Sequence, residues 1–559
     1  MITLENLSFR YGRAPRPALE NLNGSFGPGI RLLVGENGAG KTTLLKILTG
    51  VLAPTQGECL LDGTDASTSS PAGMGRTFLL EENMYFPGKT IREFAAAHSP
   101  FYPGFSHETF CRNLQAFGLT GDEPLKNASP GNRKKAQLAY VLALGVEYLF
   151  LDEPTNALDL QAKASLQQLL AAETSENQTV VISTHTISEL ENLYDGIIVL
   201  NHGHIIFSAT DEEISERLAF VSSPEPPEEA LYSELNFGHY LSVVPSDDFC
   251  DDTRTDWRRL YFALMSPARE TIIGMFSDKE ENVDMAAQEN TVRKSADCAA
   301  DNGFSWKRVR EFAGWNMLKF KKQIIWYPLI SLLSAILLLL PVGESAQMGL
   351  TTLVWGILPF LAYLAPLVFA MGGDGRIIMR MIPARPSEKL TFYLGYLLII
   401  VPAVLYILPL LASFLYMHLP SIQTEDVMSM LKMRMGINMP WITVTNIVGM
   451  LAVIVTCFYF VLRSRNNRII NGIIATVIFL FLQGLAGAIY GMTAAFRMGI
   501  ADGMARTDPK DEEEIVRRLM EEMTSMGSWM TVITAITALY IAFAIWQTWR
   551  LFSHKSNRF

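Results

Sequence analysis

Two regimes of hydrophobic patterning divide this chain. Through about residue 322, apolar positions alternate or come in short blocks between polar turns, the habit of strands and amphipathic helices in water. From 323 to 552 the pattern changes to six long apolar stretches, near 323–342, 348–371, 391–417, 440–462, 469–491 and 528–552. Each is long enough to cross a hydrocarbon layer of roughly 30 Å. In the first regime Leu4 to Phe9 reads as an edge strand, Ile30 to Val34 as a short buried strand and Gly57 to Gly63 as a strand and turn. A helix is expected from about Pro130 to Leu144, with buried strands from Glu147 and from Thr179 on either side of a polar interval. Asn201-His202-Gly203-His204 reads as a hairpin turn rather than a metal site, since no further ligands lie nearby in sequence.

Between the regimes the chain changes character twice. Ser222 to Asn302 is acidic, with Pro224 to Glu229 as a linker, Asp256 to Met265 as an amphipathic helix and a flexible stretch near Ser277 to Gly303. Trp306, Val309, Ala313, Met317 and Phe320 then recur at helical spacing among Lys307, Arg308, Arg310, Lys319, Lys321 and Lys322, the pattern of a helix lying on an inner membrane surface. Basic residues before the first span, between the second and third (Arg376, Arg380, Arg385, Lys389), between the fourth and fifth (Arg463, Arg465, Arg468) and after the sixth (Arg550, Lys555, Arg558) place both termini inside. The boundaries expected are 1–220, 221–303 for an accessory extension and linker, 304–322 for the interfacial helix, 323–552 for a six-helix membrane domain and 553–559 for a tail.

Composition narrows the partners. A formal net charge of −10 argues against nucleic acid, whose phosphates need basic stripes that are lacking here. The five cysteines show neither metal nor disulfide spacing, which suits a reducing compartment, and the start of the chain goes directly into strand-like alternation without the pattern of a signal peptide. The spans hold no midplane carboxylate or lysine to suggest a proton relay, so any transport must draw its energy elsewhere.

That source is legible at Gly35-Glu36-Asn37-Gly38-Ala39-Gly40-Lys41-Thr42-Thr43. A buried strand leads into a glycine-rich loop and the loop opens a helix, so backbone N–H groups and the positive helix end converge on a phosphate site. Lys41 would reach the β- and γ-phosphates of ATP and the Thr42 hydroxyl would ligate Mg²⁺. Asp152 and Glu153 close the strand from Glu147, where one carboxylate can sit near the metal and the other polarise an attacking water. Tyr11 offers a ring for a purine base.

The order Tyr11, the glycine-rich loop, Ser129-Pro130-Gly131-Asn132, Asp152-Glu153, Asn156-Ala157-Leu158-Asp159 and His185 resembles the nucleotide-binding domain of ATP-binding cassette (ABC) transporters over roughly residues 1–220. The resemblance implies an α/β P-loop ATPase followed by an all-α membrane domain, with Tyr11 stacking on adenine, Asp152 at the metal, Glu153 as base and His185 sensing the γ-phosphate. It also implies that Ser129 and Gly131 contact ATP held by a second copy, so that the chain acts as a homodimer. Ala128, Pro130 and Asn132 depart from the family's Leu-Ser-Gly-Gly-Gln, and Pro130 lacks an N–H to donate. Glu81 stands where the family carries a metal-reaching glutamine, and is a candidate metal contact. The loop Gly372 to Leu390 resembles the coupling loop of type-two exporters. The reading is a half-transporter in the cytoplasmic membrane, ATPase inside, moving an unidentified amphipathic substrate outward; the rival is a membrane-anchored regulator that transports nothing. Methionines near 417–439 and 520–526 read as flexible apolar packing before they read as Cu(I) ligands.

Overall fold

A computed structural model describes residues 1–12, 14–67, 70–246, 254–276, 304–338 and 381–396, with 539, 542–543 and 545–546. The chain forms two compact units. The first takes Met1–Lys319 and Gly373–Glu388, and the second takes Phe320–Gly372 and Lys389–Asn557.

The first unit opens with β1 (Ile2–Phe9), β2 (Leu19–Phe26) and β3 (Gly29–Val34), then α1 (Lys41–Leu48), β4 (Gln56–Leu61) and β5 (Thr64–Asp65). There follow α2 (Pro71–Met74), β6 (Thr77–Leu80), α3 (Ile91–His98), α4 (His107–Ala116), α5 (Pro130–Val141), β7 (Tyr148–Asp152), α6 (Leu160–Glu173) and β8 (Thr179–Ser183). Strands β9 (Gly196–Asn201) and β10 (His204–Thr210) meet at the expected hairpin, where His202 and Gly203 both take positive φ.

A six-stranded sheet in the order β10-β9-β3-β8-β7-β6 forms the centre. All its pairings are parallel except β9 with the edge strand β10. Every residue of β7 and β8 is buried, because a parallel sheet is covered on both faces; this is why those strands read as unbroken apolar runs. The carboxyl ends of the adjacent strands β3, β8 and β7 therefore open on one side, and the glycine-rich loop, His185 and Asp152-Glu153 all leave from there.

A second, antiparallel sheet has the order β2-β1-β4-β5. Strand β1 pairs with both β2 and β4, so the segment expected at an edge is an interior strand. Its alternation reports one buried face, but the number of hydrogen-bonded neighbours leaves no mark on that pattern.

The accessory region adds α7 (Asp211–Ser215), β11 (Leu218–Ser223), β12 (Tyr232–Asn236) and β13 (His239–Pro245), then α8 (Trp257–Leu264) and α9 (Arg269–Phe276). Its strands form an antiparallel sheet ordered β11-β13-β12, with Pro224 to Glu229 in the connection from β11 to β12.

Helix α10 (Trp306–Leu338) passes without a break through Pro328 and through the expected boundary at 322. Within the first unit it buries Val309, Phe312, Trp315 and Asn316, while Trp306 is exposed. The Trp315 ring lies 5.3 Å from that of Phe94 and 4.9 Å from that of His98. This part of the helix docks on α3 through Trp315, a residue outside the expected stripe, of which Val309 is buried and Trp306 exposed. Amphipathic periodicity marks an apolar side without naming what covers it. Helix α11 (Pro386–Gly395) follows the Met381 loop. In the second unit Leu329, Leu332, Leu333 and Ile336 are about half exposed at helical spacing. Among the described residues no helix is long and apolar enough to cross a membrane. Most of the six expected spans, the methionine-rich segments and the stretch 277–303 lie outside the described residues.

Candidate ATP site

The cradle is built where β3 hands over to α1. Gly35 allows a close approach that no side chain permits, since a Cβ there would stand 2.1 Å from the Leu200 carbonyl oxygen. Gly38, at φ +85°, takes the left-handed conformation with open space where its side chain would be. Glu36, Asn37 and Ala39 complete the loop, and the Ala39 N–H donates to Glu36 O at 3.1 Å. Lys41 is buried, and its ammonium donates to Gly35 O at 2.7 Å and Glu36 O at 3.2 Å. Burial lowers its pKa, and Glu153 and Asp152 partly offset that. The helix start, its amine and the loop N–H groups make one positive concavity.

Across the loop, the Thr42 hydroxyl donates to Asp152 Oδ2 at 2.8 Å. Asp152 also accepts from the Ser183 hydroxyl, which reaches over from the end of β8. Two hard oxygen ligands thus meet at the helix N-terminus, a donor set that suits Mg²⁺ with its remaining ligands from phosphate and water. Glu81 is drawn elsewhere: its carboxylate pairs with Lys46 on α1 at 2.8 Å rather than with Thr42 and Asp152. No group of three or more His, Cys, Asp or Glu placed to hold a metal occurs among the described residues.

Glu153 stands beside Asp152 with φ +49°, a strained conformation for a residue with a side chain. Its backbone N–H is tied to Ser183 O at 3.0 Å, and His185 Nδ1 donates to Glu153 Oε2 at 2.9 Å. The expected base and sensor are therefore already joined, with the imidazole largely exposed. The Tyr11 ring is half exposed, packs edge-on against Phe9 and shares a 3.1 Å hydrogen bond between its hydroxyl and that of Thr43. That places the ring beside the cradle.

Ser129 caps α5 by accepting from the Asn132 N–H at 3.1 Å, with Pro130 at the first helical position where a missing N–H costs nothing. Ser129 is exposed and makes no hydrogen bond to the cradle of its own chain among the described residues. Gly131 is pressed on the Asn156–Asp159 loop, for a Cβ there would come 2.7 Å from Ala157 O. Lys135 pairs with Asp159 at 2.8 Å, and Asn156 Nδ2 donates to Glu82 Oε1 at 2.8 Å. Buried Lys134, which sequence reasoning passed over, donates to Glu82 O at 3.0 Å. Its signal was weak, because a lysine in a run of three basic residues looks like a solvated face. Ser183, equally unnoticed, was marked only by ending a buried strand two residues before His185.

A phosphate loop at the carboxyl end of a parallel sheet, with the next strand but one ending at Asp152 and followed by Glu153, defines a P-loop nucleoside triphosphatase. The ABC transporter family profile matches residues 19–156. Over 218 residues the chain is 33% identical to a putative ABC transporter ATP-binding protein of Pyrococcus furiosus, covering 37% of this chain and 82% of that one. It is 32% identical to a lantibiotic transport ATP-binding protein of Streptococcus pyogenes, covering 37% and 89%, and 33% identical to an energy-coupling factor transporter ATP-binding protein of Thermotoga maritima, covering 39% and 84%. Among solved structures, a dimeric bacterial ABC transporter cassette is similar at 24% identity and a TM-score of 0.34, over 38% of this chain and 98% of that one. By its nucleotide-binding domain the chain belongs to the ABC transporter family. It binds ATP and hydrolyses it with Mg²⁺.

Proposed function

We propose that the chain is a half-transporter in which ATP hydrolysis drives an amphipathic or hydrophobic substrate across the cytoplasmic membrane, most simply outward, as a homodimer. The observation that carries this reading is the seating of the Met381 loop on the ATPase. The Leu79 N–H of β6 donates to Met381 Sδ at 3.3 Å, and the Tyr102 hydroxyl donates to Met381 O at 3.2 Å. Met381, Ile382 and Ala384 are buried there, and Leu79 itself stands two residues before Glu81 near the carboxyl end of β6. The loop is anchored by Glu388, fully buried, which accepts from Arg308 Nη2 at 2.9 Å and from the backbone N–H groups of Ser305 and Arg385. Both anchors continue in sequence into the second unit, whose long apolar stretches and outward Leu329, Leu332, Leu333 and Ile336 suit lipid.

In this reading the cradle N–H groups and Lys41 hold the triphosphate, while Thr42 and Asp152 hold Mg²⁺, which neutralises charge on the phosphates. Glu153 accepts a proton from the attacking water, and the hydrogen bond from His185 fixes the orientation of that carboxylate. Tyr11 covers the base. Ser129 and Gly131 lie at the exposed start of α5, available to ATP on a second copy, so one cradle and one signature per chain make two composite sites in a dimer. Movement of β6 and its following loop on ATP binding passes to Met381 and thence to the membrane segments.

Reconstituted vesicles test this. ATP-dependent accumulation of a substrate that also stimulates turnover is the expected result, and Glu153→Gln abolishes it while leaving ATP bound. Turnover without flux for any amphipathic substrate would favour a membrane-anchored regulator. Parental turnover in Glu153→Gln would remove Glu153 from its role.

A further inference from the structure

The accessory region takes no part in the site described above, yet its helix α8 lies against the segment that carries His185. The Trp257 indole N–H donates to the Glu191 carbonyl at 3.1 Å, and its ring meets Tyr194 edge-on at 6.1 Å. Just before the helix, Arg254 Nη1 donates to Asn192 Oδ1 at 3.3 Å. All three contacts fall within a few residues of one another, shortly after His185.

The helix is fixed from its other side. Buried Arg259 donates through Nη1 to Val221 O at 3.1 Å and to Ser242 O at 3.2 Å, bonds that join α8 to β11 and β13. Asp256 caps the helix by accepting from the Arg259 N–H at 2.8 Å. Leu260, Ala263 and Leu264 are fully buried beneath it. Helix α8 is thus a strut between the accessory sheet and the His185 segment.

That segment has little regular structure of its own. Ile187–Glu189 and Glu191–Leu193 are single 3₁₀ turns, short pieces whose hydrogen bonds are poorer than those of an α-helix. Helix α6 holds one side of it, as Lys163 pairs with the Glu189 carboxylate and Gln167 Nε2 donates to Glu189 O at 2.6 Å. Tyr194 lies between the two supports. It is 4% exposed, and its hydroxyl has no hydrogen-bond partner among the described residues. Burial chiefly, then the carboxylates of Glu189, Glu153 and Glu191, raise its pKa.

We propose that Trp257 is a positioning residue for hydrolysis: through the Glu191 carbonyl and the Tyr194 ring it holds the segment after His185 so that the imidazole meets Glu153. The accessory region thereby becomes a controlling element of the ATPase, and the proposal rests on the assignment of Glu153 and His185 to hydrolysis. The physical reason is local. Losing the indole N–H removes the hydrogen bond that ties the Glu191 carbonyl to α8, and a segment of isolated 3₁₀ turns yields before the sheet does.

The test uses the full chain in detergent. Trp257→Phe keeps a ring and removes the N–H, whereas Trp257→Ala removes both. Steady-state hydrolysis is measured against ATP concentration, alongside hydrogen exchange at residues 184–194 and 41–48. The expected result for Trp257→Phe is a fall in kcat of about 5-fold with KM for ATP within about 2-fold, and faster exchange at 184–194 but not at 41–48. In a His185→Ala background the effect of Trp257→Phe shrinks toward no change, as it must if Trp257 acts through the imidazole. An equal factor in both backgrounds overturns the proposal, as does unaltered exchange at 184–194 or an unaltered kcat. Where Trp257→Ala does not fold, Trp257→Phe decides. A parental chain that binds ATP without hydrolysing it overturns the site assignment and this proposal with it, whereas a hydrolysing parent indifferent to Trp257 overturns the proposal alone.

Discussion

The Thr42 hydroxyl donates to Asp152 Oδ2 at 2.8 Å, joining the first turn of α1 to the end of β7 at the site proposed for Mg²⁺. Asp152→Asn keeps the shape but removes the charge that the metal needs. Turnover is expected to fall by about 10²- to 10³-fold, with ATP affinity in EDTA unchanged. Hydrolysis assays over a Mg²⁺ titration, paired with nucleotide binding under chelation, check this.

Ala157 is exposed and sits at φ +65°, in the loop against which Gly131 is pressed. Ala157→Gly relieves that conformation, against a smaller entropic cost in the unfolded chain, and should stabilise the first unit by about 0.5 kcal/mol. Gly131→Ala should do the opposite, because its new Cβ meets Ala157 O at 2.7 Å. Thermal unfolding of the two variants separates the effects by sign.

Lys134 carries a pH dependence whose direction follows from its burial. Desolvation lowers its pKa from 10.5 to about 8, against smaller opposing contributions from Glu82, Asp152 and Glu153. Between those values the unfolded chain holds a proton that the folded chain has released, so this residue makes stability rise as pH increases from about 8 to 10.5. Burial pushes the Cys59 thiol up to about 12, which lowers stability in the overlapping alkaline range. Comparing the parent with Lys134→Met cancels the Cys59 effect: the parent should gain on the variant between pH 7.5 and 10 in denaturant unfolding, the interval being about that set by the lysine shift.

Glu388 is fully buried and binds Arg308 together with two backbone N–H groups. Glu388→Gln removes the buried charge that Arg308 and the two backbone N–H groups bind, a change of about 3 kcal/mol against the docked arrangement. Limited proteolysis is expected to speed up at residues 304–312 and 381–390, while cleavage near α1 keeps its parental rate.

The parts of this protein that depend on neighbouring residues were open to sequence reasoning. The loop Gly35–Thr43 announces itself because its glycines, lysine and threonine act within one strand–loop–helix unit. The Ser129 cap and Pro130 start of α5 are local for the same reason, as is the hairpin at His202-Gly203. The buried strands β7 and β8 were legible as apolar runs because both faces are covered. Strands β11 to β13 were not, since much of that small sheet faces solvent and its residues alternate weakly.

What packing alone settled is which distant groups meet. Glu153 and His185 follow strands β7 and β8, and only the adjacency of those strands in the sheet brings carboxylate and imidazole to 2.9 Å. Glu81 was expected at the metal, yet Lys46, one turn along α1, takes its carboxylate. Of the stripe expected to face lipid only Val309 is buried among the described residues, while Trp306 is exposed, and it is Phe312 and Trp315 that pack on the ATPase. Periodicity and local geometry are written in the chain because they follow from bonded neighbours. The choice of partner across space follows from desolvation and charge at close range, and these exist only once the chain has folded.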